Sequence, residues 1–460
     1  MLKQIIQNGS KIHFIGIGGV GMSSLAQYLL SKGYKITGSD LKSNTYIEKL
    51  KSMGVKVYLG HSIENIEDDV SLVVSSSAVK NDNVEVIHAE KRNIQHIKRY
   101  QLLAYIVNKE KSIAVAGSHG KTTTTSICAS LLTNAGFDPT AIIGGKLRNI
   151  NNNVIIGKSD YFIVEADESD GGFLLLSPYI GVVTNIDNDH LGFYGNFENE
   201  KIAFYDFMES SHLKVLNYDD PIIKQWSGFN KDDSVLTYSI KSKKADIYAY
   251  DIALNEEGSI FSVKTPTRKI EDLRIKIIGM HNVSNALAVI GIAEILNIDE
   301  DAIRKTLLEF EGVDRRFTYI GNYNLLKVYD DYAHHPTEIK ATLSAAKLLS
   351  DNVYAVFQPH RFSRTAYLMD DFAESFKDVR RVFILDIYPA SEKPIEGVDS
   401  LALAEKINKI SSNAVYINQI DQLKRHLDQI EDEGVLIALG AGSVSSIIRK
   451  VVDDYKNSAA

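Results

Sequence analysis

A glycine-rich loop with a lysine and several threonines is the segment best suited to phosphate chemistry. It follows the apolar run 112–116 and consists of Gly117, Ser118, His119, Gly120, Lys121, Thr122 and Thr123. The lysine can neutralise the β and γ oxygens of a triphosphate, and the first threonine hydroxyl can ligate Mg²⁺. Val115 stands where a strict phosphate-binding loop has glycine, so this is a shorter variant of that motif. The alternative is a solvated helix start without a ligand.

Acidic residues and a histidine follow two apolar runs downstream of this loop. Glu165 opens the segment EADESD after the run 161–164, and His190 ends the segment NIDNDH after the run 180–183. Ligands of open α/β sheets lie at the carboxyl ends of the strands. Clustered carboxylates beside a triphosphate are suitable oxygen ligands for Mg²⁺. Without the Gly117 loop, a solvated acidic turn and a structural histidine would be the simpler interpretation.

A second glycine motif near the N-terminus follows the pattern G-x-G-x-x-G. It comprises Gly16, Gly18, Gly19 and Gly21 and lies between an apolar run at 11–15 and a helical pattern at 22–32. Asp40 follows about twenty residues later, as in dinucleotide-binding folds. Such glycines let backbone N–H groups approach a diphosphate at a helix N-terminus. Taken alone, the motif would indicate an NAD(P)-dependent oxidoreductase, or a tight turn that binds nothing.

Histidine and arginine side chains cluster in the last third of the chain. His334 lies in DDYAHHP, and His360, Arg361 and Arg364 lie in QPHRFSR, each near the end of an apolar run. Arginine offers a planar fork of donors that fits a carboxylate. These residues therefore suit carboxylate recognition, with a surface charge cluster as the alternative.

Composition limits the classes of protein. The chain has 460 residues, of which 44% are hydrophobic and 24% charged, with a net charge of −8. This charge argues against nucleic-acid binding by phosphate neutralisation. A single cysteine, Cys128, excludes an intramolecular disulfide and suits a cytoplasmic protein. No apolar run is long enough to cross a bilayer, so we expect no membrane insertion. The sequence does not determine the oligomeric state.

The apolar runs and helical patterns alternate as in α/β proteins with parallel sheets. Strands are predicted at 11–15, 35–38, 71–74, 112–116, 161–164, 180–183, 353–357, 382–385 and 434–439, with antiparallel strands within 240–275. Helices are predicted at 22–32, 99–111 and 282–296, after Thr122 and from Val444. We predict three domains: a Rossmann-like domain (1–102), a P-loop ATPase-like α/β domain (103–313) and a Rossmann-like α/β domain (314–460).

The ordered set of motifs resembles the Mur ligase family over essentially the whole chain. The segments are GIGGVGMSSLA with GSD, GSHGKTTTT, EADESD, NIDNDH, HNVSNALA, GVDRRF, DDYAHHPTEI and FQPHRFSRT. The first and last of these are most similar to the branch of the family that adds L-alanine. The tripeptide-recycling branch and the branches that add later amino acids remain close alternatives.

This resemblance implies an ATP-dependent, Mg²⁺-requiring ligase of peptidoglycan synthesis. The first domain would hold UDP-N-acetylmuramate, the second ATP and the third L-alanine. ATP would phosphorylate the lactyl carboxylate, and the alanine amine would attack the acyl phosphate, giving an amide, ADP and phosphate. Two further readings are open: the oxidoreductase above, and a nucleotide-binding regulator without turnover.

The resemblance also implies roles for individual residues. Thr122 and Glu165 would ligate one Mg²⁺, and Glu165 and His190 a second. The nucleotide would be held by the glycine-rich loop together with His281, Asn282, Asn285, Arg316 and Asp331. The L-alanine site would be framed by His334, His360, Arg361 and Arg364. Besides the four glycines, the UDP moiety would contact Ser39, Asp40 and His61.

Two positions depart from the family pattern. Gly192 replaces the aspartate that commonly follows the Asp-His pair by two residues, which puts any role of that acid in doubt. The later family enzymes carry a carbamylated lysine further along, and its equivalent here is Phe204. We therefore expect no dependence on carbamylation, with Lys201 as the alternative position if the alignment is shifted.

Overall fold

The computed structural model describes residues 9–229 and 232–459. They form two compact units. Unit 1 contains the described parts of Met1–Tyr248 with Lys264–Arg268 and Asn285–Thr306, and unit 2 contains Ala249–Val263, Lys269–Ser284 and the described parts of Leu307–Ala460. The predicted α/β class is confirmed, with three sheets.

The first sheet of unit 1 is parallel throughout, in the order β3-β2-β1-β4-β5. Its strands are β1 (Lys11–Ile15), β2 (Lys35–Asp40), β3 (Lys56–Leu59), β4 (Val70–Ser75) and β5 (Gln95–Lys98). Its helices are α1 (Val20–Ser31), α2 (Thr45–Ser52), α3 (Val84–Lys91) and α4 (Arg99–Val107). The central strands β1 and β4 are almost wholly buried, as expected for parallel strands with helices on both faces.

The second sheet carries the phosphate-binding candidates. Within unit 1 its order is β12-β11-β10-β6-β9-β7-β8, with β13 beginning beside β12. The strands are β6 (Lys111–Ala116), β7 (Thr140–Leu147), β8 (Asn152–Ile155), β9 (Tyr161–Glu165), β10 (Ile180–Val183), β11 (Leu213–Asn217), β12 (Val235–Ser239) and β13 (Ile247–Asn255). The helices are α5 (Lys121–Asn134), α6 (Leu191–Tyr194), α7 (Phe197–Ser210), α8 (Pro221–Phe229), α9 (Met280–Ile295) and α10 (Glu300–Glu309).

The strand order of the second sheet continues after β13 with β14 (Gly258–Lys264) and β15 (Lys269–Ile275).

The third sheet lies in unit 2, in the order β16-β17-β21-β18-β19-β20, and only β16 pairs antiparallel among its described strands. Its strands are β16 (Thr318–Tyr323), β17 (Leu326–Asp331), β18 (Val353–Phe357), β19 (Arg381–Leu385), β20 (Ala414–Ile417) and β21 (Gly434–Leu439). Its helices are α11 (Pro336–Ala346), α12 (Phe362–Tyr367), α13 (Met369–Ser375), α14 (Ser400–Ile410), α15 (Ile420–Asp428) and α16 (Val444–Ala459).

The helix predicted over 99–111 is shorter than expected. It ends at Val107, because Lys111 already begins β6 and pairs with Tyr161 of β9. This helix also spans the predicted domain border at 102/103. Unit 1 contains the described part of the first predicted domain and most of the second, so the three-domain division stays a prediction. Within the described residues, no helix is both long and apolar enough to span a bilayer.

Candidate active site

The glycine-rich loop joins the end of β6 to the start of α5, where only glycine fits at two positions. Gly117 and Gly120 have φ of 129° and 85°, in the region that side chains disfavour. A Cβ on Gly117 would lie 2.0 Å from Thr184 Oγ1, and one on Gly120 would lie 2.6 Å from Asn285 Oδ1. The loop is therefore pressed against β10 and α9, and its backbone forms the N-terminus of α5, a favourable place for phosphate.

Lys121 is held at this helix start by a buried ion pair. Its Nζ donates to Gly117 O at 2.6 Å and lies 2.7 Å from Glu168 Oε1, a fully buried carboxylate. Burial favours the neutral amine, but Glu168, Asp167 and Glu165 outweigh this effect and raise the pKa of Lys121 above its ordinary value. Lys121 therefore stays a cation, as phosphate binding requires.

Thr122 and Glu165, the predicted metal ligands, contact each other. Thr122 Oγ1 donates to Glu165 Oε2 at 2.9 Å, and the Gly144 N–H donates to the same oxygen at 3.1 Å. A Cβ at Gly144 would lie 2.1 Å from that oxygen, so glycine is needed for this approach. The hydroxyl and carboxylate oxygens are therefore brought together at the carboxyl end of β9.

His190, predicted to share a cation with Glu165, forms an ion pair with Glu168. Its Nε2 lies 3.3 Å from Glu168 Oε1 and 3.6 Å from Asp189 Oδ2. Burial lowers the pKa of His190, but the bond to Glu168 and the charge of Asp189 raise it overall above its ordinary value. Glu168 thus links the lysine of the loop to the histidine, and the sequence interpretation missed it although it lies in the quoted EADESD segment.

The donor set fits Mg²⁺. Glu168 Oε2 is buried and has no hydrogen-bond partner among the described residues, so it has an unused acceptor beside Lys121 and His190. Hydroxyl and carboxylate oxygens are the ligands that this hard cation prefers. The oxygens of Thr122 and Glu165, and the unused oxygen of Glu168, are therefore ligand types that suit this cation.

The rest of the loop is tied to the NIDNDH segment. Ser118 Oγ accepts from Asp187 N at 2.8 Å, and His119 Nε2 lies 2.9 Å from Asp187 Oδ2. Thr123 is buried in the first turn of α5. These predicted ATP-binding residues therefore lie together. Of the three predicted on α9, Asn285 belongs to unit 1 beside Gly120, whereas His281 and Asn282 belong to unit 2.

The N-terminal glycine motif forms a turn between β1 and α1. Gly16 has a φ of 80°, Gly19 precedes α1, and the Gly18 N–H donates to Asp40 Oδ2 at 2.9 Å. A Cβ at Gly21 would lie 3.2 Å from the Arg99 guanidinium atom Nη1. The motif therefore contacts its predicted acidic partner.

Ser39 and His61, also predicted to contact UDP, meet at a buried glutamate. Ser39 Oγ donates to Glu85 Oε2 at 2.5 Å, and His61 Nδ1 lies 3.4 Å from the same oxygen. The other carboxylate oxygen accepts from Asn65 Nδ2 at 2.6 Å. Burial opposes ionisation of Glu85, but hydrogen bonds from His13, Ser39 and Asn65 lower its pKa below the ordinary value. No local pattern marks Glu85, which lies in helix α3 far along the chain from Ser39.

Unit 2 brings together most of the predicted alanine-site residues. His334 and His360 have ring centroids 5.9 Å apart, and Arg364 Nη1 lies 3.4 Å from His360 Nδ1. The ring of His360 stacks on Tyr388 at 5.5 Å. Arg361 is half exposed, has a φ of 71° and lies 3.8 Å from Glu392.

Two further nucleotide candidates of unit 2, Arg316 and Asp331, precede this group in the chain. Asp331 is buried at the end of β17, and accepts from the Phe317 N–H at 2.7 Å and the Ala333 N–H at 2.8 Å. Burial raises its pKa to about 6 despite these bonds and the charge of Arg316. Arg316 lies over the Tyr332 ring at 5.2 Å.

The structure shows what surrounds Gly192, Phe204 and Lys201, the positions discussed as departures from the family pattern. Gly192 borders open space, so nothing packs where an aspartate side chain would project. Phe204 is fully buried and makes an edge contact with Phe173 at 5.3 Å, whereas Lys201 pairs with Glu198 at 2.5 Å. One turn before Phe204, Glu200 is fully buried. Burial raises its pKa to about 7.

Comparison with known families matches three family models in order. They are the "Mur ligase family, catalytic domain" over residues 11–111, the "Mur ligase middle domain" over 115–293, and the "Mur ligase, glutamate ligase domain" over 315–442. The chain belongs to the Mur ligase family. This Mur ligase is 44% identical to a UDP-N-acetylmuramate–L-alanine ligase of Aquifex aeolicus, over 97% of each chain. It is 40% identical to the enzyme of the same name from Carboxydothermus hydrogenoformans, over 98% of each chain.

Solved structures agree with this assignment. A UDP-N-acetylmuramate–alanine ligase of Thermotoga maritima has a TM-score of 0.83 and 28% identity, and the match covers 97% of this Mur ligase and 99% of that chain. A murein peptide ligase of Psychrobacter arcticus has a TM-score of 0.71 at 24% identity, covering 98% and 99%, and shows the shared fold. Family membership accounts for the glycine-rich loop and the EADESD segment, which the oxidoreductase reading leaves unexplained.

Proposed function

We propose that this chain is an ATP-dependent ligase that joins L-alanine to UDP-N-acetylmuramate in peptidoglycan precursor synthesis. The proposal rests on sequence identity above 40%, over nearly the whole length, to relatives named UDP-N-acetylmuramate–L-alanine ligase. The buried ion pair of Lys121 with Glu168 supports the ATP-dependent part, since it keeps a cation at the start of α5. We further propose that the reaction takes place in the cytoplasm, where ATP is available and where a lone buried thiol stays reduced.

The first half-reaction makes the carboxylate reactive. A lactyl carboxylate oxygen attacks the γ-phosphorus of ATP, the bond to the β-phosphate oxygen breaks, and ADP leaves with that electron pair. Lys121 and the backbone N–H groups after Gly117 stabilise charge on the transferring phosphoryl group. Thr122, Glu165 and the Glu168–His190 pair would hold Mg²⁺, which would neutralise further negative charge on the oxygens of the transferring phosphoryl group.

The second half-reaction forms the amide. The alanine amine attacks the acyl carbon, phosphate leaves with the former carboxylate oxygen, and the amine loses a proton. Arg364, with Arg361 at the edge, suits the alanine carboxylate, because an arginine fork fixes its orientation. His334 and His360 are both candidates to accept the amine proton.

Phosphate release from ATP tests the proposal directly. We expect release only when UDP-N-acetylmuramate, L-alanine and Mg²⁺ are all present, with little release when D-glutamate or a tripeptide replaces alanine. Release that ignores the amino acid would contradict ligation, and ATP binding without any release would favour a regulator. Substrate-dependent change in nicotinamide absorbance would favour an oxidoreductase instead.

A further inference from the structure

Arg99 is a cation that the proposed mechanism leaves without a role. It is the first residue of α4, and its side chain is only 18% exposed. Its Nη2 lies 3.8 Å from Asp170 Oδ2 and 3.9 Å from Asp167 Oδ2, in the acidic loop after β9. These are ion-pair separations that are too long for hydrogen bonds. Across residues 9–229 and 232–459, the Arg99 guanidinium makes no hydrogen bond, so its donors stay available.

The guanidinium also contacts the glycine motif of β1 and α1. A Cβ on Gly21 would lie 3.2 Å from both Cδ and Nη1 of Arg99. Gly21 is in the first turn of α1, next to the backbone N–H groups that suit a diphosphate. Glycine at this position therefore gives the arginine room beside the predicted UDP site.

Asp167 connects Arg99 electrostatically to the phosphate loop. Burial raises the pKa of Asp167, but the charges of Lys121 and Arg99 outweigh this and lower it below its ordinary value. The Asp167 carboxylate thus interacts electrostatically with both Lys121 and Arg99. Arg99 therefore lies between the glycine motif, at Gly21, and the acidic loop after β9, at Asp167 and Asp170.

We propose that Arg99 binds an anionic group of the sugar nucleotide, the diphosphate or the lactyl carboxylate, through its guanidinium fork. This inference rests on the proposed function. Arginine suits the role because its planar donors match the paired oxygens of either group. A purely structural role, as a link between α4 and the acidic loop, is less suited to the long separations. Ser77 Oγ already hydrogen-bonds Asp170 without help from Arg99.

Separate binding measurements for the two substrates test this assignment. In Arg99→Ala, we expect the Kd of UDP-N-acetylmuramate to rise about 10- to 100-fold, the range for a lost charge-assisted hydrogen bond. The Kd of ATP should stay within about twofold. Arg99→Lys should restore part of the affinity, because it keeps the charge and loses the fork. The control is Lys91→Ala, which removes an exposed cation from α3 and should change neither Kd.

A second ligand distinguishes the two anions. UDP-N-acetylglucosamine carries the diphosphate but lacks the lactyl carboxylate. An equal loss of affinity for both sugar nucleotides assigns Arg99 to the diphosphate, and a loss only for UDP-N-acetylmuramate assigns it to the carboxylate.

Two results would overturn the inference. The first is unchanged sugar-nucleotide affinity in a variant whose thermal unfolding matches the parent. The second is an equal loss of ATP affinity, which would indicate a structural role. If Arg99→Ala does not fold, Arg99→Lys decides by the same comparison. A parent protein that fails to bind UDP-N-acetylmuramate would instead refute the proposed function.

Discussion

Replacing Lys121 with alanine should destabilise the ligand-free protein as well as abolish turnover. The Lys121 side chain is 12% exposed and that of Glu168 is fully buried, so the substitution leaves a carboxylate without its main partner. Breaking a buried ion pair by removing one partner costs about 3–5 kcal/mol. His190, 3.3 Å from Glu168, can compensate in part, which favours the lower end of this range.

Urea unfolding followed by circular dichroism, without nucleotide, measures this cost. The double variant Lys121→Met with Glu168→Gln should regain much of the loss, because it removes both charges. Lys111→Ala is the matched control, since Lys111 and Asp160 are both more than half exposed and 3.7 Å apart. It should cost less than about 1 kcal/mol. Phosphate release should fall at least about 100-fold in both Lys121 variants.

Two outcomes would refute this reasoning. Lys121→Ala could unfold at the parent's urea concentration, which would mean that the pair contributes nothing to the ligand-free fold. Alternatively, the double variant could be as unstable as the single one, which would mean that the lost lysine contacts, and not the unpaired carboxylate, set the cost.

Three further predictions concern the cation site, a buried acid and the amino acid. Glu165→Gln and His190→Ala should each raise the Mg²⁺ concentration for half-maximal phosphate release, and parent-like titrations would exclude them as ligands. Glu200 has a folded-state pKa of about 7 against the ordinary 4.5. Its protonated form therefore contributes to the free energy of unfolding below pH 4.5, and this contribution is lost as the pH rises through 7. Glu200→Gln should therefore flatten the fall in stability over this window, by up to roughly 3 kcal/mol, and an unchanged pH profile of urea unfolding would contradict this. Arg361→Ala and Arg364→Ala should raise the KM for alanine far more than that for ATP, and normal alanine saturation in both would exclude the assigned role.

The strands were predictable where burial is continuous. The bounds of Val353–Phe357, Ile180–Val183 and Gly434–Leu439 match the apolar runs, because strands covered on both faces must be apolar throughout. The helix after Arg99 was predicted too long, because its polar end at Lys111 already pairs in the sheet.

The sequence predicts which loops form the candidate site better than it predicts which side chains pair with each other there. Glycine loops and strand-end acids have local signatures, so Thr122 and Glu165 could be found as a pair. The ion pair of His190 with Glu168 could not be predicted. Glu165 and Glu168 lie in the same acidic segment, and only the fold decides which of them is next to His190. Glu85 and Arg99 carry no local signal, because their neighbours come from other elements of the chain.

Oxygen transfer from substrate to phosphate tests the central claim most directly. UDP-N-acetylmuramate with ¹⁸O in its lactyl carboxylate is incubated with ATP, Mg²⁺ and L-alanine, and the released phosphate is analysed by mass spectrometry. Attack of the amine on an acyl phosphate expels the former carboxylate oxygen, so each phosphate should carry one ¹⁸O atom, and only when alanine is present. Unlabelled phosphate, or labelled phosphate that forms equally well without alanine, would contradict the account.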